Sequence, residues 1–374
     1  MHVALGALCG TTGGPATYAG RLAEALAERS DLRVTVLTDR PERFAGLRAG
    51  VVEVPCAGGA DRLLWQHLRL PRALRALRPD LYHDTKNALP WRCAIPAVVT
   101  VHDLAYWRCP ATFTLAARTF LRSATAHAVR RAQAVVVPSA WTARDLVAIH
   151  PRCAPRVHVV PHGIAGPAAP EPAVLARLGA QLAGALPFVL HVGTIQARKH
   201  VDLLVRAVRL LRARGLPHRL VLAGRRGWRA EQAFAEIRRD DTALWLGEVD
   251  AAELAALYQL ADAFGAPSGY EGFGFTVAEA MAAGLPVVVA DNSSLPEVVG
   301  DAGVRVAEPG AEAFAAALEG VLRDRACATA LGAAARARAA GFPWARCADG
   351  TVAAYRAALA GSSAAPALSL ARGV

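Results

Sequence analysis

Lysine and methionine are almost missing from this chain. Among 42 basic residues only Lys86 and Lys199 are lysine, and Met1 and Met281 are the two methionines. The bias is that of a coding background that trades lysine for arginine, so a lysine that persists marks a position where lysine itself is wanted. Aromatic residues are scarce at 6%, which fits an α/β enzyme better than an all-β binding module. The seven cysteines (Cys9, Cys56, Cys93, Cys109, Cys153, Cys327, Cys347) are scattered and no two are spaced C-x-x-C. That excludes a zinc ribbon and argues against a disulfide framework, so a reducing compartment is expected. No uncharged apolar run is long enough to span a bilayer. The first apolar run, Val3 to Leu8, has no basic region before it, so it reads as a buried strand and not a signal peptide. Basic-aromatic tracts are absent too, which leaves nucleic-acid binding unsupported.

What is present is length, charge and alternation. A chain of 374 residues is long enough for two domains, each with its own core. The hydrophobic fraction of 54% owes much to alanine, which buries little. The net charge of +11 favours anionic partners such as nucleotides, phosphorylated substrates or a membrane surface.

Short apolar runs alternate with amphipathic stretches of helical period. Val3 to Leu8 leads through a turn rich in glycine (Gly10, Gly13, Gly14) into a helix from Pro15 to Arg29. Further strands are expected at 34–38, 97–101, 134–137 and 157–160. A Gly/Pro/Ala-rich stretch from Gly163 to Pro172 reads as a linker. The alternation then resumes, with strands at 188–192, 220–223, 244–246, 263–266 and 286–290. The expected fold is α/β, with two doubly wound, Rossmann-like parallel-sheet domains facing a central cleft. Residues 1–165 form the first and 166–360 the second, and 361–374 read as a tail. In open parallel sheets, ligands collect at the carboxyl ends of the strands.

The most informative segment runs from Pro267 to Pro286. A strand ends, glycines loosen the loop at Gly269, Gly272 and Gly274, a helix begins near Thr276, and Gly284 followed by Pro286 stops it. Strand, glycine loop and helix N-terminus together form an anion-binding arrangement. Glu271 and Glu279 flank that loop and can accept hydrogen bonds from vicinal hydroxyls. A plainer reading stands beside this one: Thr276-x-x-Glu279 is also the pattern of a capping box. Upstream, Gly193-Thr194 follows a strand and leads to Arg198-Lys199, cations suited to a diphosphate. A solvated basic loop is the plainer alternative. His102 ends a strand of the first half, where an imidazole can face a ligand or serve the structure, with Asp103 as a cap. Gly13 and Gly14 permit close backbone approach to a phosphate, or simply turn the chain.

These pieces resemble the donor half of glycosyltransferase family 4. The resemblance rests on His191-Val192-Gly193-Thr194 with Arg198-Lys199, on Leu246-Gly247-Glu248-Val249, on Leu254 to Ala261, on Pro267 to Pro286, and on Ser293-Ser294-Leu295-Pro296-Glu297-Val298, in that order. The first half matches more loosely, through Gly13-Gly14-Pro15, His102-Asp103-Leu104, Pro138-Ser139 and Pro161-His162-Gly163. The resemblance implies a B-type glycosyltransferase fold, with an acceptor-binding first domain, a nucleotide-sugar-binding second domain and a last helix (about 344–360) that crosses back to the first domain. It implies a metal-independent hexosyltransferase that retains configuration, with GDP-mannose or a UDP-hexose as co-substrate and no other cofactor. By the same resemblance, Glu279 binds ribose hydroxyls and Glu271 the donor hexose. Gly272, Phe273 and Gly274 present backbone N–H groups to the sugar, and Phe275 and Thr276 do so to the diphosphate. Lys199 holds the diphosphate, His102 reaches the hexose, and Leu246 to Val249 line the base pocket. One departure is that Thr194 stands where many members carry arginine, and Arg198 is the substitute cation. That pattern is shared by members similar to bacterial mannosyltransferases. The catalytic set so implied is His102, Lys199, Arg198 and Glu271.

The acceptor is open at this level: a glycan, a lipid-linked sugar or a small natural product. Residues 61–80 interleave Arg62, Arg69, Arg72, Arg75 and Arg78 with leucines, and Arg118, Arg122, Arg130 and Arg131 form a second basic set. Such helices suit either peripheral contact with the inner face of a membrane or an ordinary solvated arginine face in a cytoplasmic protein. Two other activities fit the same architecture, a nucleotide-sugar epimerase and a non-catalytic nucleotide-binding protein. A dinucleotide oxidoreductase fits poorly, because no G-x-G-x-x-G follows the first strand.

Overall fold

The computed structural model describes residues 1–8, 13–56, 58–166 and 168–361. The chain divides into two compact units. Among the described residues, the first comprises those within 1–104, 115–163 and 344–361, and the second those within 105–114 and 164–343. The short segment Ala105–Thr114 therefore leaves the half of the sequence that surrounds it.

The first unit is built on a seven-stranded sheet of β1 (His2–Gly6), β2 (Arg33–Thr38), β3 (Gly50–Glu53), β4 (Leu81–Asp84), β5 (Ala97–Thr100), β6 (Ala134–Val137) and β7 (Val157–Val159). Its order is β3-β2-β1-β4-β5-β6-β7, with every pairing parallel. The second unit holds a six-stranded parallel sheet of β8 (Phe188–Val192), β9 (Arg219–Ala223), β10 (Ala243–Gly247), β11 (Ala263–Ala266), β12 (Val287–Ala290) and β13 (Val304–Val306). Its order is β10-β9-β8-β11-β12-β13. Each sheet thus runs outward one way and then reverses, between β1 and β4 in the first and between β8 and β11 in the second.

The central strands formed where the sequence reads as continuous Val, Ala and Leu, because helices cover both faces and leave no polar side. β5, β6, β8, β11 and β12 are buried along their whole length. The sequence reading omits three strands. β3 and β13 are short edge strands with exposed residues. β4 reads Leu-Tyr-His-Asp, and its polar half masks it. In the second unit, helix 201–213 lays Leu204, Val205, Val208 and Leu211 against the sheet, all fully buried. Each such side chain contributes on the order of 1.5–3 kcal/mol.

The first unit has a polar thread through its core. Tyr18 Oη bonds Thr100 Oγ1 at 3.1 Å, Thr100 Oγ1 bonds His83 Nε2 at 2.8 Å, and His83 Nδ1 bonds Tyr355 Oη at 2.7 Å. Burial, with the nearby His102, pushes the His83 imidazole down to about 3, so it is neutral and takes one donor and one acceptor role. Tyr355 lies on the helix Trp344–Leu359, which packs on β5, β6, β7 and the helix Gly14–Ala27. The basic stretch 61–80 is helical from Gly59 to Leu77, interrupted by a π-helical turn at Trp65–Arg69, and Arg78 ends it with φ 48°. Among the described residues of the stretch from Gly163, no regular element forms until the helix Pro172–Gln181. Gly10 of the first turn, Pro167 of the linker stretch and the tail from Ser362 lie outside the described residues.

Candidate active site

The densest set of candidate residues gathers where the second sheet reverses, beyond the carboxyl ends of β8 and β11. β8 delivers Gly193 and Thr194, and the turn at Ala197–Lys199 then lifts two cations over the end of the sheet. β11 delivers Pro267 to Gly274 and the helix Phe275–Ala283.

Glu271 is the hub. Its side chain is only 10% exposed. Lys199 Nζ donates to one carboxylate oxygen and Arg198 Nη1 to the other, the latter at 3.2 Å. Ser268 donates to the carboxylate as well. The Glu271 backbone is fixed from both sides, its N–H donating to Ser293 Oγ at 2.9 Å and its carbonyl accepting from Ser294 Oγ at 3.0 Å. Arg198 also donates to the Tyr270 carbonyl at 2.6 Å. Burial alone would raise the Glu271 carboxyl, but Lys199 and Arg198 overcome it and hold it at about 2. One carboxylate therefore faces two cations, and the cluster carries a net positive charge suited to an anion.

Glu279 is in the opposite state. It is the fifth residue of the helix Phe275–Ala283, past the first turn, and its Oε2 accepts from the Tyr258 hydroxyl at 3.2 Å. Burial raises its carboxyl to about 7, only partly offset by the Tyr258 hydrogen bond. The capping-box alternative does not form. The N-cap is Gly274, two residues earlier than a box at Thr276 needs, and a glycine has no side chain with which to cap the helix. Gly274 sits at φ 97°, a conformation that favours glycine, and a Cβ there would meet the terminal methyl of Leu295 at 2.8 Å.

The remaining residues of the donor set divide by role. Thr194 and Gly193 lie against the loop after β9, where a Cβ on Gly224 (φ 137°) would run into the Gly193 carbonyl. Gly272 is buried, and Phe273 packs edge-on to Phe275 at 5.5 Å and Phe342 at 5.7 Å, so only its backbone can address a ligand. Thr276 is half-buried. Leu246 is the penultimate residue of β10 and Val249 follows the strand, both half-buried at the carboxyl edge of the same sheet. Gln196, Arg198 and Gly269 also border a cavity of about 660 Å³ lined by Arg108, Thr112 and Arg229.

In the first unit, His102 follows β5. Its Nε2–H donates to the Thr85 carbonyl at 2.7 Å, and its Nδ1 meets His162 Nε2 at 3.1 Å. Burial pushes the imidazole down to about 4, so it is neutral. The Thr85 carbonyl fixes the proton on Nε2 and makes Nδ1 an acceptor for His162. Both ring nitrogens are thus engaged within the protein. Gly13 caps the helix Gly14–Ala27 at φ 94°, its carbonyl accepting from Ala16 and Thr17.

The sequence matches the family described as Glycosyl transferases group 1 over residues 180–338 and the family described as Glycosyltransferase Family 4 over residues 12–165. O-antigen chain mannosyltransferase B of Escherichia coli is 32% identical over 295 residues, 76% of each chain. The chain belongs to glycosyltransferase family 4. D-inositol 3-phosphate glycosyltransferase of Nocardia farcinica is 33% identical over 243 residues, 62% of this chain and 54% of that one, so the chain matches about half the length of that relative. The structure of Anabaena HepE in complex with UDP-glucose superposes with a TM-score of 0.76 at 18% identity, covering 95% of this chain and 99% of the other. The fold is the B-type glycosyltransferase fold.

Sequence reasoning on this glycosyltransferase missed Tyr258, the partner of Glu279, and Ser293 and Ser294, which clamp the Glu271 backbone. All three fall inside the motifs that carry the family resemblance, but a side-chain partner 21 to 23 residues away has no local signature. Among the described residues, no helix of this glycosyltransferase is long and apolar enough to cross a membrane.

Proposed function

We propose that this glycosyltransferase moves a hexose from a nucleoside-diphosphate sugar to an acceptor hydroxyl with retention of configuration, and that the reversal point of the second sheet binds the donor. The observation that carries the reading is the Glu271 cluster. A buried carboxylate holding Lys199 and Arg198 sits next to the N-terminus of the helix Phe275–Ala283, whose N-cap is a glycine. Lys199, Arg198 and the first N–H groups of the helix receive the diphosphate, Glu271 receives hexose hydroxyls, and Glu279 receives the ribose. Leu246 and Val249 flank the base.

The chemistry follows from where charge develops. As the glycosidic bond to the phosphate breaks, negative charge grows on the leaving diphosphate, and the fixed cations and helix dipole stabilise it without reorganising. The leaving phosphate oxygen takes the acceptor's proton on the face where the acceptor attacks, which accounts for retention. Arg198 and Lys199 supply the positive charge, so the proposed reaction runs without a divalent metal. His102 contacts the hexose by exchanging its Nδ1 bond with His162 for a sugar hydroxyl. GDP-mannose and UDP-hexoses are the proposed donors, in keeping with the mannosyltransferase relative and with the UDP-glucose complex of HepE.

A thermal-shift screen against UDP, GDP, ADP and TDP and their sugar conjugates tests this, because a ligand of the folded state raises the melting temperature. One nucleotide family should give a shift that Glu279→Ala abolishes. No shift with any of them would overturn the reading. The anomeric configuration of the product, read by NMR, tests retention.

A further inference from the structure

The loops that follow β8 and β9 are tied to each other. Ile195 N–H donates to the Arg225 carbonyl at 3.0 Å, and Gly227 N–H donates to the Ile195 carbonyl at 2.8 Å. Beside that tie lies the cavity of about 660 Å³ that Gln196, Arg198 and Gly269 border. Another wall is the segment Arg108–Thr112, which belongs to the same unit. Phe113 packs next to it on the loop after β9, its ring 6.0 Å from that of Trp228. Apart from Arg198, no residue of the lining belongs to the proposed donor set.

The lining is charged one way. It carries four guanidinium groups, from Arg108, Arg198, Arg206 and Arg229, against one carboxylate, Asp202. Arg206 Nη2 and Gln232 Nε2 both donate to Asp202 Oδ2 at 3.0 Å, and Oδ1 keeps its lone pairs for a hydroxyl. Further along the helix Val201–Ala213 the arginines have carboxylates of their own, Glu236 and Asp240 for Arg209 and Asp241 for Arg212. Arg229 has no ion-pair partner among the described residues. Gln196 is 5% exposed, and its Oε1 accepts no hydrogen bond among the described residues. A buried acceptor without a donor is costly, and a ligand hydroxyl relieves it.

The backbone is strained at the same place. Among the described residues five that are not glycine have positive φ, and two of them, His200 at 48° and Arg229 at 53°, line this cavity. Such residues cluster at ligand sites. A Cβ on Gly269 would meet His200 Nε2 at 2.6 Å, and Gly269 N–H donates to the Arg198 carbonyl at 2.8 Å. The cavity wall thus joins the loop that carries Glu271 to the turn that carries Arg198.

We infer that this cavity is a second ligand site, separate from that of the donor, and that it takes a small hydroxylated phosphomonoester. Arg108 and Arg229 receive the phosphate, for which a guanidinium fork is suited. Gln196 Oε1 and Asp202 Oδ1 receive hydroxyls. A bare anion leaves both acceptors unanswered, and an uncharged sugar leaves the guanidinium groups so. This chemistry has two sources, a phosphorylated second substrate or a free metabolite that acts as an effector. The inference goes beyond the donor reading and does not depend on it.

The test is titration calorimetry on the full chain, with glucose 6-phosphate, inorganic phosphate and glucose as probes. Glucose 6-phosphate should bind about tenfold more tightly than inorganic phosphate, and glucose should give no measurable heat. Arg229→Gly removes the guanidinium and suits the left-handed backbone, so the melting temperature should hold while affinity for glucose 6-phosphate falls by about tenfold or more. Arg108→Ser, at an exposed position, should act in the same direction. Equal affinity for phosphate and glucose 6-phosphate, or affinity that both variants leave intact, would overturn the inference. So would displacement of glucose 6-phosphate by the nucleotide that the thermal screen selects, since one site would then hold both. NMR of the reaction with sugar nucleotide present separates the two sources. A glycosylated phosphate ester marks a second substrate, and an unchanged ester that alters turnover marks an effector. An ester that is neither consumed nor alters turnover makes the cavity an adventitious ion site only and overturns the inference. If nucleotide binds and glucose 6-phosphate does not, this inference alone fails. If glucose 6-phosphate binds and nucleotide does not, the donor reading alone fails.

Discussion

The Tyr258 hydroxyl donates to Glu279 at 3.2 Å, and no cation lies within ion-pair reach of that carboxylate among the described residues. Burial therefore goes unopposed by charge, and the carboxyl is raised from 4.5 to about 7. The folded protein holds a proton that the unfolded chain releases. The stabilising contribution of this group is thus full below about pH 4.5 and is lost as pH rises through 7. On the proposed reading donor binding runs the other way, because ribose hydroxyls would bond best to the ionised form of Glu279. Nucleotide affinity should rise between pH 6 and 8, with proton release on binding, and Glu279→Gln should remove that dependence and weaken binding by about tenfold or more. Calorimetry in buffers of different ionisation enthalpy reads both effects, and a wild-type affinity that is flat with pH would refute the assignment.

Lys199→Ala should lower turnover by about 10²–10³-fold, with a smaller effect on donor affinity, as expected for a charge used mainly in the transition state. Lys199→Arg should not restore full activity, since a planar guanidinium cannot replace a compact ammonium against both Glu271 and phosphate. Steady-state kinetics with the donor identified by the thermal screen checks this. A variant whose kcat matches wild type would remove Lys199 from the mechanism.

Glu271→Ala leaves Lys199 and Arg198 together without their shared carboxylate. Removing one partner from a buried ion cluster costs roughly 3–5 kcal/mol, so the melting temperature should fall by several degrees, and added pyrophosphate should recover part of it by occupying the cations. The held-down carboxyl also sets an acid limit. Its contribution to stability is present above the ordinary carboxylate range near 4.5 and is lost as pH falls toward 2. Melting curves of wild type and Glu271→Ala across pH 2 to 6 should therefore converge at the acid end.

Tyr355→Phe should destabilise the first unit by about 1–3 kcal/mol, because it strips His83 Nδ1 of its partner in a fully buried site. Donor binding should be unchanged in this variant, which chemical denaturation and the nucleotide screen measure separately.

Most of the fold was legible, for a specific reason. Strands such as Val98-Val99 and Val135-Val136-Val137 are buried on both faces and leave an apolar run that a single sequence displays. β4 was not legible, because His83 and Asp84 look like surface residues until Tyr355, 272 positions away, and the Tyr82 hydroxyl are seen to satisfy them. The candidate site followed the same rule. Glu271, Glu279, Arg198 and Lys199 were readable as types in motifs, but the ion cluster that joins residues 72 and 73 apart was not. The capping-box ambiguity at Thr276 dissolved only when Gly274 was seen to take the cap at a φ that glycine favours.

The ion cluster at Glu271 also has a logical property. With its carboxylate shared between Lys199 and Arg198, the cluster keeps one positive charge in excess, and a phosphate that draws both cations away leaves a buried carboxylate without its ion partners. Only a ligand bringing an anion and hydroxyl donors together satisfies every group at once. On the proposed reading the site therefore works as an AND gate. The intact sugar nucleotide is admitted on two keys, while the spent nucleoside diphosphate holds only one and is pushed out as the cations return to Glu271.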